Sequence, residues 1–186
     1  MPIMRQLAAA LFLLVLGSVS TGCSTLVKWP TVALRSTTLG QATPTGVTVN
    51  FDLDLTNPNS FSLPVNRAQY KLALGGVVVV NDSAAPDATI PANGTIPLRI
   101  PVAVTFESLL AAGEALRKSG GDVPYNLDGN LEFGDRQKIG DLALNAPLHF
   151  TGTLPLRQIL KDPQVLLQSP AARKLAEQVW GGLFDR

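Results

Sequence analysis

Val47-Thr48-Val49-Asn50-Phe51-Asp52-Leu53-Asp54-Leu55-Thr56 alternates without a fault. Val47, Val49, Phe51, Leu53 and Leu55 point one way; Thr48, Asn50, Asp52, Asp54 and Thr56 point the other. Period two over ten residues is a strand with one face in a core and one in water. It runs into Asn57-Pro58-Asn59-Ser60, where proline fixes φ and asparagine bonds its own backbone, so a turn is expected.

Working outward, the pattern recurs. Val32–Leu39 alternates loosely and reads as a first strand. Ala68, Tyr70, Leu72 and Leu74 share a face, followed by a hairpin-like break at Gly75-Gly76. Val77–Val80 is a short apolar strand, Asn81–Ala88 a polar loop and Thr89–Gly94 a turn. Ile96 to Phe106 makes a second long alternating face. Pro97 and Pro101 lie on its opposite side and cannot donate to a ladder, which predicts an edge strand or one locally unpaired there. Phe106–Lys118 changes to helical period, with Thr105 to cap it and Gly120 to end it. Tyr125–Phe133 returns to period two. A last strand falls in Ile139–Asn145 or His149–Leu154, with Pro147 as a break. Ser169 and Pro170 open a terminal helix whose stripe is Ala172, Leu175, Ala176, Val179 and Trp180. The whole predicts a mostly β, two-sheet antiparallel sandwich of about seven strands, one inserted helix and one C-terminal helix.

Composition agrees. The 186 residues include 16 Gly and 14 Pro, with only 16% charged and 6% aromatic. That is turn-rich and poor in the charge a helical bundle carries. Formal net charge is +1. Without Arg5, the only base in residues 1–22, the remainder is neutral. It has no basic footprint for nucleic acid and no polybasic patch for anionic lipid.

Residues 1–22 read as a signal peptide: Arg5, an apolar run Leu7–Leu16, then small residues to Gly22. Ten residues span about 15 Å as a helix, short of the ~30 Å hydrocarbon core. Ser20-Thr21-Gly22-Cys23 resembles the lipobox of bacterial lipoproteins. It departs from it at Ser20, where leucine is usual. The resemblance implies that Cys23, the sole cysteine, is acylated and tethers the chain to a membrane. Ser24 then favours an outer-membrane location facing the periplasm, by family analogy. The competing reading is ordinary cleavage leaving a free thiol. The expected organisation is 1–22 signal peptide, 23–44 lipidated Cys23 and leader, 45–156 sandwich domain and 157–186 helical tail.

From Cys23 to about Leu156 the chain resembles bacterial lipoproteins of the late embryogenesis abundant (LEA) type 2 group, whose module is the water-stress and hypersensitive-response (WHy) domain. The residues that carry this are Val49–Asn59 with Phe61 and Leu63-Pro64-Val65, Tyr70–Gly76, Thr89–Gly94, Tyr125–Leu131 and Phe150–Leu154. The resemblance implies a fibronectin- or immunoglobulin-like sandwich, an association with desiccation and envelope stress, and no enzymatic activity. It implies membrane contact through Cys23, weak contacts with membrane or client proteins, and no cofactor.

Candidate sites are few. His149 is the only histidine, on a strand and expected to point outward; a metal centre or triad needs convergent partners. Asp52 and Asp54 stand about 7 Å apart on one strand face. That spacing permits glycoside chemistry or calcium, and is also what a solvated face looks like. Asn57, Pro58 and Asn59 read as a structural turn, with a ligand contact as the alternative. The terminal helix either packs on the sandwich, binds a partner or lies on lipid. Besides a protective lipoprotein, a lipid- or protein-binding module and an enzyme remain as alternatives.

Overall fold

A computed structural model describes residues 27–134 and 144–181. The signal peptide, Cys23, Ile139, Leu183 and Phe184 lie outside the described residues. Strands β1 (Thr31–Ala42), β2 (Gly46–Thr56) and β6 (Thr95–Thr105) form one antiparallel sheet in the order β1-β2-β6. Strands β3 (Leu63–Leu74), β4 (Val77–Ala84), β7 (Asp122–Phe133) and β8 (Leu144–Pro155) form the second in the order β4-β3-β7-β8. A short β5 (Ala88–Ile90) adds to β3. The protein is mostly β and antiparallel, as the alternation predicts.

The sequence-read faces are the buried ones. Val47, Val49, Phe51, Leu53 and Leu55 are all within 3% of full burial, and Leu72, Leu127, Leu131 and Phe133 meet them from the other sheet at 0% exposure. Fully burying such a side chain contributes about 1.5–3 kcal/mol. Without a disulfide partner for Cys23, this layer carries the fold. Pro97 and Pro101 lie on β6, an edge strand, where a missing N–H leaves no gap in the ladder.

Three expectations need correction. Asn81–Ala84 is not loop but the continuation of β4, paired with Ala68–Lys71; residue polarity there reflects an edge strand with outward-facing side chains. Thr89-Ile90 is not turn but β5. Pro147 does not break the last strand: β8 runs through it, opposite Asn130, because β8 is also an edge. Among the described residues the strands therefore number eight.

The two tyrosines of the chain each stand opposite a glycine on the neighbouring strand: Tyr70 with Gly129, Tyr125 with Gly152. A Cβ on Gly152 would come within 2.7–2.9 Å of the Tyr125 ring. That ring has no freedom to yield. It packs edge-on against Phe51 of the opposite sheet at 5.5 Å between centroids, and its hydroxyl bonds Thr37 Oγ1 at 2.8 Å. The tyrosine thus lies over the bare glycine backbone and joins the two sheets. At the other end of β3, Gly75 and Gly76 both have positive φ, as a two-residue hairpin loop demands.

The strands run between two poles. β2 starts at Gly46 and ends at Thr56, about 35 Å away at ~3.4 Å per residue. The helices gather at the Gly46 pole. The expected single inserted helix is two, α1 (Phe106–Ala111) and α2 (Gly113–Lys118), broken at Ala112. Thr105 caps α1 by accepting from the Ser108 N–H at 3.0 Å. The tail forms α3 (Arg157–Leu160), α4 (Pro163–Gln168) and α5 (Pro170–Trp180), of which only α5 was legible by its stripe. Ser169 caps α5 at Ala172, and Leu175 and Val179 bury against the core. The tail packs on the domain through α5 against α1 and α2.

Gly152→Val should lower stability by about 1–3 kcal/mol in urea unfolding, the usual cost of overpacking. Combined with Tyr125→Ala it should cost less than the sum of the two single losses, since the clash partner is gone.

Candidate functional site

The pole opposite the helices is built on the Asn57-Pro58-Asn59 turn. Two full-length strands end there, β2 leaving and β6 returning, and β3 begins just beyond. Their turn carbonyls face inward without ladder partners, so something must satisfy them. Asn57 is 0% exposed and Asn59 4%.

The Asn57 carboxamide nitrogen donates to the carbonyls of Phe61 (2.7 Å) and Pro91 (3.1 Å). Its oxygen accepts from the Asn59 N–H (3.0 Å) and from Asn59 Nδ2 (2.9 Å). Its backbone N–H donates to Gly94, and the Asn93 N–H donates back to the Asn59 carbonyl (2.9 and 2.8 Å). Asn93 sits at φ 49°, a left-handed conformation that asparagine tolerates. The two stretches read separately as turns, Asn57–Asn59 and Thr89–Gly94, are therefore one hydrogen-bonded unit.

Asn59 reaches further. The Lys28 N–H donates to its Oδ1 at 2.7 Å, and its Nδ2 donates to the Lys28 carbonyl at 2.8 Å. One carboxamide thus holds both backbone groups of a residue 31 positions earlier. The segment entering β1 is clamped to the pole before Thr31 pairs with Thr56. Nothing in the local pattern pointed to this contact. An asparagine repeated two residues on, both in a turn already satisfied by the first, was the one available sign.

Asp52 and Asp54 do share the solvent face of β2, each tied to an arginine on a flanking strand. Arg99 Nε donates to Asp52 Oδ1 at 2.7 Å, and Ser36 Oγ to its Oδ2 at 2.9 Å. Arg35 pairs with Asp54. Arg99 first, then Ser36, holds the Asp52 carboxyl below the ordinary carboxylate range. The carboxylates are laced across a strand surface rather than aimed into a cleft. His149 points outward, 74% exposed, with Nδ1 2.7 Å from Asp128 Oδ1 on β7. Among the described residues no three His, Cys, Asp or Glu side chains converge as a metal site. No described helix is long and apolar enough to cross a membrane.

At the helical pole, α3, α4 and α5 leave an open groove of about 610 Å³ lined by Leu160, Leu166, Ala176 and Trp180, with Lys161, Arg173 and Glu177 at its margin. Lys161 Nζ lies 5.7 Å from the Trp180 ring centroid.

Residues 52–145 match the sequence model of the late embryogenesis abundant protein family, half of the chain, with β3 to β7 complete and the end of β2. The chain belongs to that family, of type 2. The solved structures agree in fold. A solution structure from Arabidopsis thaliana is 21% identical, with TM-score 0.56, covering 69% of this chain and 82% of that one. A solution structure assigned to the LEA proteins is 19% identical, with TM-score 0.51, covering 83% and 87%. A crystal structure of a protein from Archaeoglobus fulgidus is 11% identical, with TM-score 0.55, covering 68% and 96%. No curated protein matches the chain significantly.

Asn57→Ala orphans at least two buried carbonyls and should cost about 2–4 kcal/mol by chemical denaturation, at roughly 1–3 kcal/mol per unsatisfied group. Asn57→Asp, nearly isosteric, should cost more at neutral pH, because a buried charge would face those same carbonyls. Its carboxyl is disfavoured as an ion in the folded state, so stability should recover as pH falls and the group protonates.

Proposed function

We propose that the protein is a non-enzymatic, membrane-anchored lipoprotein with a WHy-like domain that protects the cell envelope during water loss. Family membership carries this reading. The surfaces that contact would use are the outward strand faces. Asn50, Asp52 and Asp54 on β2, Gln69 and Lys71 on β3, Asn126, Asp128 and Asn130 on β7, and Asn145, His149 and Thr151 on β8 form sheets of donors and acceptors. With basic and acidic residues in balance, such a surface suits weak, multi-site hydrogen bonding to polar groups that lose their water. Acylation of Cys23 would fix where this happens, since several lipid chains at about 0.8 kcal/mol per buried CH₂ do not dissociate on a useful timescale. The expected location is the outer membrane, facing the periplasm.

A second reading rests on the helical groove. Its volume and apolar wall fit an acyl chain, and Lys161 and Arg173 at the margin fit an anionic head. The module would then carry an apolar ligand. Native mass spectrometry of protein extracted from cells tests it, and the absence of a co-purifying lipid speaks against it.

For the protective reading, the purified protein should preserve a labile enzyme through drying better than an inert protein at equal mass. A deletion strain should survive desiccation poorly, with rescue by the wild-type chain and weaker rescue by Cys23→Ser. No protection in both assays contradicts the proposal.

A further inference from the structure

The clamp on Lys28 sets which end of the molecule meets the membrane. We infer that the Asn57–Asn59 pole faces the lipid headgroups, with Trp29 in the interfacial layer, and that the helical pole is held away from the bilayer. This rests on the proposed acylation of Cys23.

The argument is one of reach. Lys28 is five residues after Cys23, and a fully extended chain covers at most about 3.6 Å per residue, so its backbone lies within roughly 18 Å of the lipidated residue. Asn59 fixes Lys28 to the sandwich at both backbone groups. The pole therefore cannot leave the membrane by more than that distance. The helical pole lies about 35 Å further along β2 at ~3.4 Å per residue. Turning the molecule end over end would need a tether about twice as long as the one present.

The surfaces agree. Among the described residues, those exposed at the tethered pole include Lys28, Trp29, Ser60, Ala92, Asn93 and Thr95: small, polar or amphipathic. Trp29 is 58% exposed and sits just outside the start of β1. An indole with an apolar ring and one N–H is the side chain that settles at a membrane–water boundary. Val78 and Leu167, also exposed, belong to the helical pole. Laying the molecule on its side would press Arg35, Asp54 and Arg99, or Lys71 and His149, against lipid, and dehydrating those charges opposes it.

The test uses the full-length gene product purified from membranes and placed in phosphatidylethanolamine/phosphatidylcholine vesicles containing phosphatidylcholine brominated near the headgroup. The mass of its N-terminus is measured on the same preparation. Trp180→Phe reports Trp29 alone, and Trp29→Phe reports Trp180 alone. With an acylated terminus, bromolipid should quench Trp29 at least about twofold more than Trp180, as expected for an interfacial indole. Inserting about ten Gly/Ser residues after Leu26 lengthens the tether without touching the clamp, and should reduce that difference. Equal or stronger quenching of Trp180 on an acylated protein overturns the orientation and leaves the anchor standing. A terminus without acyl chains overturns both.

Discussion

Two carboxamides carry the geometry of one end of this molecule. Asn57 has both lone pairs and its amide protons engaged, and Asn59 spends its own on Asn57 and on the Lys28 backbone. The turn between β2 and β3, the turn between β5 and β6 and the entry to β1 come from separate parts of the chain. None has ladder partners of its own at that point. Side chains with both a donor and an acceptor, short enough to stay rigid, are what such a junction requires. Alanine cannot donate, and aspartate would bring a charge. Every buried side-chain polar atom among the described residues has a partner, so this junction is closed rather than a cavity awaiting a ligand.

The two ends of the sandwich consequently differ in kind. One is a polar hydrogen-bonded knot that receives the N-terminal segment. The other is an apolar cap in which α5 covers α1 and α2 and leaves a groove beside Trp180. Between them the sheets are held by the Phe51–Tyr125 contact and the layered aliphatic core, while their outer faces stay polar. Under the proposed acylation of Cys23, the knotted pole would be the tethered end and the groove-bearing pole the free one. Family membership gives the proposed protective role its support.

Much of this was legible in the sequence. The faces of β2, β6 and β7 follow from period two, because burial of one face is all that such alternation encodes. The edge position of β6 follows from Pro97 and Pro101. The same reasoning holds for Pro147, which marks another edge; reading it as a break instead ends the strand too soon. Asn81–Ala84 reads as loop in the sequence because an edge strand beside solvent needs no alternation. The break at Ala112 and the helices α3 and α4 depend on packing against α5, and are too short to show a stripe of their own. The turn character of Asn57-Pro58-Asn59 was plain from local chemistry. Its burial and its grip on Lys28 were not, because a contact across 31 residues leaves no periodicity.

Hydrogen exchange at the Lys28 amide tests the central claim most directly. This residue lies outside any strand, in the four-residue lead-in Val27–Pro30 before β1, where backbone without ladder partners ordinarily exchanges fast. If the Asn59 clamp holds it, its protection should approach that of the β2 amides and disappear in Asn59→Ala while the β2 amides remain protected. Exchange at the rate of a free chain end in the wild-type protein would contradict the account.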